Sequence, residues 1–107
     1  MSLEAHIHEL ETALEGAADA RATAEEQQER LKQTFSALVV HYRGEGKGVA
    51  EAEHFARSSE EYRAASDKWI VANYEYRRTD AKAEGKRQRF EAWRTINATE
   101  RAKMNLR

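Results

Sequence analysis

From residue 55 onward, large rings recur at one seven-residue interval: Phe55, Tyr62, Trp69 and Tyr76, with Ala83 as the single gap before Phe90. A seven-residue apolar repeat keeps one narrow stripe turned toward a partner along a long helix, so this row predicts a helix packed lengthwise on another helix. Alternating steps of three and four fill the stripe in as Tyr62, Ala65, Trp69, Ala72, Tyr76, Thr79, Ala83, Lys86, Phe90 and Trp93. The first part of the chain carries a matching stripe: Leu3, Ile7, Leu10, Leu14, Ala17, Arg21, Ala24, Gln28, Leu31, Phe35, Leu38 and Tyr42. It weakens in the middle, where Arg21 and Gln28 fall on seam positions and alanine replaces leucine.

Between the stripes, Gly44, Gly46 and Gly48 alternate within Arg43-Gly44-Glu45-Gly46-Lys47-Gly48. Glycine is the common left-handed cap after a helix, and each glycine inside a helix costs about 1 kcal/mol relative to alanine, so this segment predicts a turn. Arg43 before it and Glu51 and Glu53 after it carry the charges that a helix end and a helix start favour. Folding the chain about Gly46 sets Ala24 opposite Trp69, Ala17 opposite Tyr76, Leu10 and Leu14 opposite Ala83 and Thr79, and Leu3 opposite Phe90. Small side chains then meet large ones, the pattern that fills the space between two helices. The expected fold is all-α: a long, coiled-coil-like antiparallel hairpin forming a single domain over 1–107. Its first arm spans 2–43, its turn 44–48 and its second arm 49–106. The alternative is a three-helix fold with a break near Gly85.

Arms of unequal length predict an overhang. Residues from about 91 onward lack a partner in the first arm, yet they include Trp93, Ile96, Met104 and Leu106. A lone helical pair also leaves Ile70, Val71 and Tyr74 exposed beside the seam. Dimerisation into a four-helix bundle would cover them, which predicts a homodimer.

Composition agrees with helices rather than a globule. Charged residues make up 35% of the 107 and aromatics 8%, so the chain can bury only a thin core. Proline is absent, and so is the main breaker of helices. Cysteine is also absent, which excludes disulfides and thiolate sites. No basic leader followed by an apolar run is present, and eighteen uncharged apolar residues never occur together. A soluble, cytoplasmic protein without a membrane partner is expected.

The net charge of −1 conceals an asymmetry. Residues 77–107 hold ten bases and four acids, and residues 1–76 hold fifteen acids and eight bases. The bases are Arg77, Arg78, Lys82, Lys86, Arg87, Arg89, Arg94, Arg101, Lys103 and Arg107, with Phe90 and Trp93 among them. Such a helix suits phosphates held by counterion release and bases stacked on rings, with Arg87, Arg89, Arg94 and Arg101 as the nucleic-acid candidates. The plainer reading, which we favour, is neutralisation by the acidic opposite arm through Glu4, Glu9, Glu11 and Glu15. Arg94, Arg101 and Arg107 lie beyond those acids.

No catalytic, cofactor or metal site is expected. The glycine-rich turn lacks the Ser or Thr after its lysine that a phosphate loop needs, and no strand precedes it. His6 and His8 point to different faces of a helix and read as surface residues. His41 and His54 flank the turn and can approach each other, but two histidines do not complete a metal site. The pairs Glu25 with Glu26 and Glu60 with Glu61 have no pocket around them in a helical rod, so acid/base catalysis is not expected.

Three segments carry a resemblance: Tyr42-Arg43, Gly48-Val49-Ala50-Glu51-Ala52, and Trp93-Arg94-Thr95-Ile96-Asn97-Ala98-Thr99-Glu100-Arg101-Ala102-Lys103-Met104. They resemble a family of small helical proteins encoded by bacteriophages and prophages, often beside recombination genes. Lys103 stands where that family's closing segment has glutamate. The resemblance implies a viral origin, residence in the host cytoplasm and a non-enzymatic role. The function expected is a protein-interaction module that serves recombination or inhibits a host nuclease or defence system, as an anti-CRISPR would. Its partner-binding residues would be Phe90, Trp93, Arg94, Ile96, Arg101 and Met104, at the unpaired end. The alternatives are a DNA- or RNA-binding accessory and a structural spacer.

Overall fold

The protein is described by a computed structural model covering residues 2–106. It is an all-α helical hairpin with α1 over Leu3–Gly44, α2 over Val49–Ser58 and α3 over Glu60–Asn105, and no strand among the described residues. The contacts fall into two compact units. One is Ala20–Tyr76, and the other joins the residues up to Asp19 with those from Arg77 onward.

In the Ala20–Tyr76 unit the reversal is a Schellman turn. Gly46 adopts φ +91°, its N–H donates to the Arg43 carbonyl at 3.0 Å, and the Lys47 N–H donates to the Tyr42 carbonyl at 3.3 Å. Those two bonds satisfy carbonyls that the end of α1 leaves without partners. Lys47 then lays its ammonium over the Phe55 ring, 4.4 Å from the centroid, and so closes the turn against α2.

The second arm is two helices, and the break is at Ser59. Its φ of −74° and ψ of 153° are extended, its hydroxyl donates to the Ala56 carbonyl at 2.7 Å, and the same oxygen accepts the Tyr62 N–H at 3.2 Å. Ser59 thus ends α2 and N-caps α3, with Glu60 and Glu61 in the first turn where the helix dipole favours anions. Through Gly85, the break site of the three-helix alternative, α3 runs uninterrupted. A Cβ there would meet only the Arg89 guanidinium at 3.9 Å. Gly85→Ala is therefore expected to raise stability by about 0.5–1 kcal/mol through helix propensity, read as a higher denaturant midpoint. A loss would show that the glycine is required by its surroundings.

The register differs from a fold about Gly46. Tyr42 meets Phe55 with centroids 5.5 Å apart, and Phe35 meets Tyr62 edge-on at 5.9 Å. A fold about Gly46 would have brought Ala37 and Arg30 to those levels, so the arms are displaced by more than one helical turn. Everything from Arg43 to His54 serves the reversal, whose centre is near Gly48. One consequence is that Gln27 shares a groove with Lys68 while Thr23 lies beside Val71 and Ala72. Trp69 is then level with Gln27 and Gln28 instead of Ala24.

Small does not face large at every layer: near the turn, ring meets ring. The fully buried residues are alanines, with Ala52 and Ala56 at 0% exposure, whereas Phe55 remains 40% exposed. Alanine lets the helix axes approach closely, and with no third layer above the seam a large ring is covered on one side only. Arg21 and Gln28, expected in the seam, are exposed, and Ala20 and Gln27 turn inward in their place.

In the other unit, Ala17 and Ala83 are buried and Leu10 is half-buried. His6, expected on the surface, lies with its ring 4.7 Å from Trp93 and 6.4 Å from Phe90. It takes the place opposite Phe90 that a fold about Gly46 assigned to Leu3.

Candidate functional site

In the unit that joins the start of α1 to the end of α3, His6 already reaches Phe90 and Trp93, so the unpaired end is shorter than the sequence suggests. Trp93 already has His6, and Leu3 lines a groove of about 430 Å³ with Trp93, Arg94, Asn97 and Arg101. Residues from about 102 onward extend past it.

α3 positions each candidate residue by its helical period. Phe90 and Trp93, three apart, stack on each other at 6.2 Å and are half-buried against His6. Arg94 lies 5.9 Å from the Phe90 ring and 3.6 Å from the Glu91 carboxylate. Asn97 half-buries itself by donating to the Trp93 carbonyl at 3.0 Å, a bond the sequence reading did not include. Ile96 is 63% and Met104 73% exposed. Phe90 and Trp93 are thus tied into the helical pair, whereas Ile96, Arg101 and Met104 are open to solvent.

The four acids expected to neutralise the basic helix do not reach it as close ion pairs. Among the described residues, Glu4, Glu9, Glu11 and Glu15 have no ion-pair partner within 4.0 Å, although Glu9 shares a groove with Lys82 and Lys86. Attraction between the arms there acts through a field rather than through direct salt bridges. Of the four nucleic-acid candidates, Arg87 pairs with Glu84 at 3.1 Å, Arg94 with Glu91, and Arg89 donates to the Gly85 carbonyl at 3.3 Å. These are exposed pairs within one helix, each worth only a few tenths of a kcal/mol. Arg107 lies outside the described residues.

Around the turn, His41 pairs with Glu45 at 3.2 Å and His54 lies against Phe55. Among the described residues no group of three or more His, Asp or Glu is arranged to hold a metal ion. Glu25 and Glu26 each reach an arginine four residues away, Arg21 and Arg30, on the exposed face of α1. No helix of the described residues is long and apolar enough to cross a membrane. Compared with protein-family models, curated proteins and solved structures, the chain has no significant match.

Proposed function

We propose that this chain is a non-enzymatic interaction module that docks the C-terminal end of α3 on another protein. The observation that carries this reading is the exposure of Ile96 and Met104 on a helix that continues past the first arm. Two apolar side chains eight residues apart lie near one helical face, and Arg101, without an ion pair among the described residues, stands between them. A helix presenting apolar anchors beside a cation fits an apolar groove with an acidic rim. The phage-family resemblance points toward a recombination protein or a host nuclease or defence protein as the partner.

The test is capture from bacterial lysate on the immobilised protein, treated with nuclease, against the variant Ile96→Glu with Met104→Glu. Both positions are exposed, so helical content should be unchanged. Loss of a captured protein from the variant alone is the expected result. Retention of every partner would place docking elsewhere. Capture seen only without nuclease, and falling steeply as salt is raised, would favour the nucleic-acid alternative.

A further inference from the structure

We infer that the face of α3 carrying Lys82, Lys86 and Arg89 is a binding surface for duplex nucleic acid, which it holds by the phosphate backbone. Between residues 77 and 94 the charges of α3 are sorted by face. Lys82, Lys86 and Arg89 follow each other at four and three residues and so share one stripe. Asp80, Glu84 and Glu91, the acids of that stretch, fall about 160–200° round the helix from Lys82, at about 100° per residue. Lys82 and Arg89 are exposed and Lys86 is half-buried, and neither lysine has an ion pair among the described residues. Arg89 gives its Nε–H to the Gly85 carbonyl and keeps its other donors free. Beside the stripe runs a groove of about 340 Å³ that Lys82 and Lys86 share with His8, Glu9, Thr12 and Ala13 of α1. Glu9 is the one acid there, and it pairs with none of the three cations. Arg78 lies on the same stripe but is already engaged, so it is not counted.

The absence of an apolar anchor selects phosphates over an acidic protein. On α3 no large hydrophobic side chain between Tyr74 and Ile96 is exposed, and the exposed Ile7 and Leu14 lie across the seam of α1 from Thr12 and Ala13. A protein partner needs an apolar centre to bury, whereas a phosphate backbone needs only cations and hydrogen-bond donors, which His8 and Thr12 add at the groove. The rings select a duplex over a single strand. Phe90 and Trp93 stack on each other and against His6, so they offer no platform for unpaired bases. Lys82 to Arg89 spans about 10 Å along the helix, about three phosphates of one strand at 3.4 Å each. Three cations thus face about three phosphates, without contact to base edges and hence without sequence preference.

This inference is independent of the docking of residues 96–104, and its variants leave that end untouched. The test is fluorescence anisotropy of the full chain with a labelled DNA duplex of about 20 base pairs and arbitrary sequence. Three phosphate contacts predict a log–log salt slope of about −3, so affinity should fall about fortyfold between about 50 and about 200 mM salt. Lys82→Gln with Lys86→Gln should keep its helical circular dichroism, weaken binding at least about tenfold at the lower salt and bring the slope to about −1. Glu9→Gln should tighten binding about twofold by removing the one acid of the groove. Arg87→Gln, on the acidic face, should change neither affinity nor slope. A duplex left unbound by about 100 µM protein at the lower salt overturns the proposal and leaves the stripe to an acidic protein surface. It is equally overturned by a slope that the double variant does not change, or by a single strand that binds more tightly than the duplex.

Discussion

Ala56→Leu is expected to lower the thermal midpoint by about 10 °C, which corresponds to roughly 2 kcal/mol. Ala56 is fully covered, and with Ala52, one turn earlier, it forms the face of α2 that has no exposure at all. Three additional carbons there cannot be accommodated without moving α2 away from α1, and α2 is held to α1 by the Tyr42–Phe55 ring contact and to the turn by Lys47. Ala50→Leu, on the exposed side of the same helix, is the matched control and should change stability by no more than about 0.5 kcal/mol. Calorimetry of both variants decides the matter. Equal midpoints would mean that α2 is not pressed onto its neighbour.

Phe35→Ala should cost about 2 kcal/mol, below the 3–5 kcal/mol of a fully buried ring because Phe35 is half-buried. Part of that loss is shared with Tyr62, whose ring meets Phe35 edge-on, and part with Arg57, whose guanidinium lies 5.0 Å from the Phe35 centroid. A double-mutant cycle between Phe35→Ala and Tyr62→Ala should therefore give a coupling of about 1 kcal/mol. The cycle also reports register. Under a fold about Gly46, Tyr62 would couple more strongly to Leu31 than to Phe35. Urea titrations giving the larger coupling to Leu31 would refute the observed alignment.

Both experiments probe features that differ in how openly the residues announce them. Every position of the α3 stripe, from Tyr62 through Trp69 and Ala83 to Trp93, is turned inward as its spacing predicts. Periodicity is a property of one helix, and strong contrast between rings and charges leaves little choice of face. In α1 the contrast fades where alanines fill the seam. A helix turns about 100° per residue, so exchanging Arg21 and Gln28 for Ala20 and Gln27 is a small rotation that favours hydration of the arginine and its pair with Glu25 at 3.0 Å. The Ser59 break was also written locally, in Ser58-Ser59-Glu60-Glu61, a serine cap followed by acids. The unbroken aromatic row obscured it, because the row keeps its seven-residue step across the cap.

From the sequence alone came the helical class, the hairpin turn with a left-handed glycine, the inward stripe of α3 and the exposed Ile70, Val71 and Tyr74. Each depends on residues close together in the chain, where dihedral preference and helical period act directly. Which layer of one arm meets which layer of the other was decided only in three dimensions. That register depends on how many residues the reversal consumes, and a Schellman turn followed by α2 consumes more than a tight loop about Gly46 would. In the other unit, too, only the tertiary structure showed that His6 covers Trp93 and leaves Ile96, Arg101 and Met104 as the open part of the C-terminal segment.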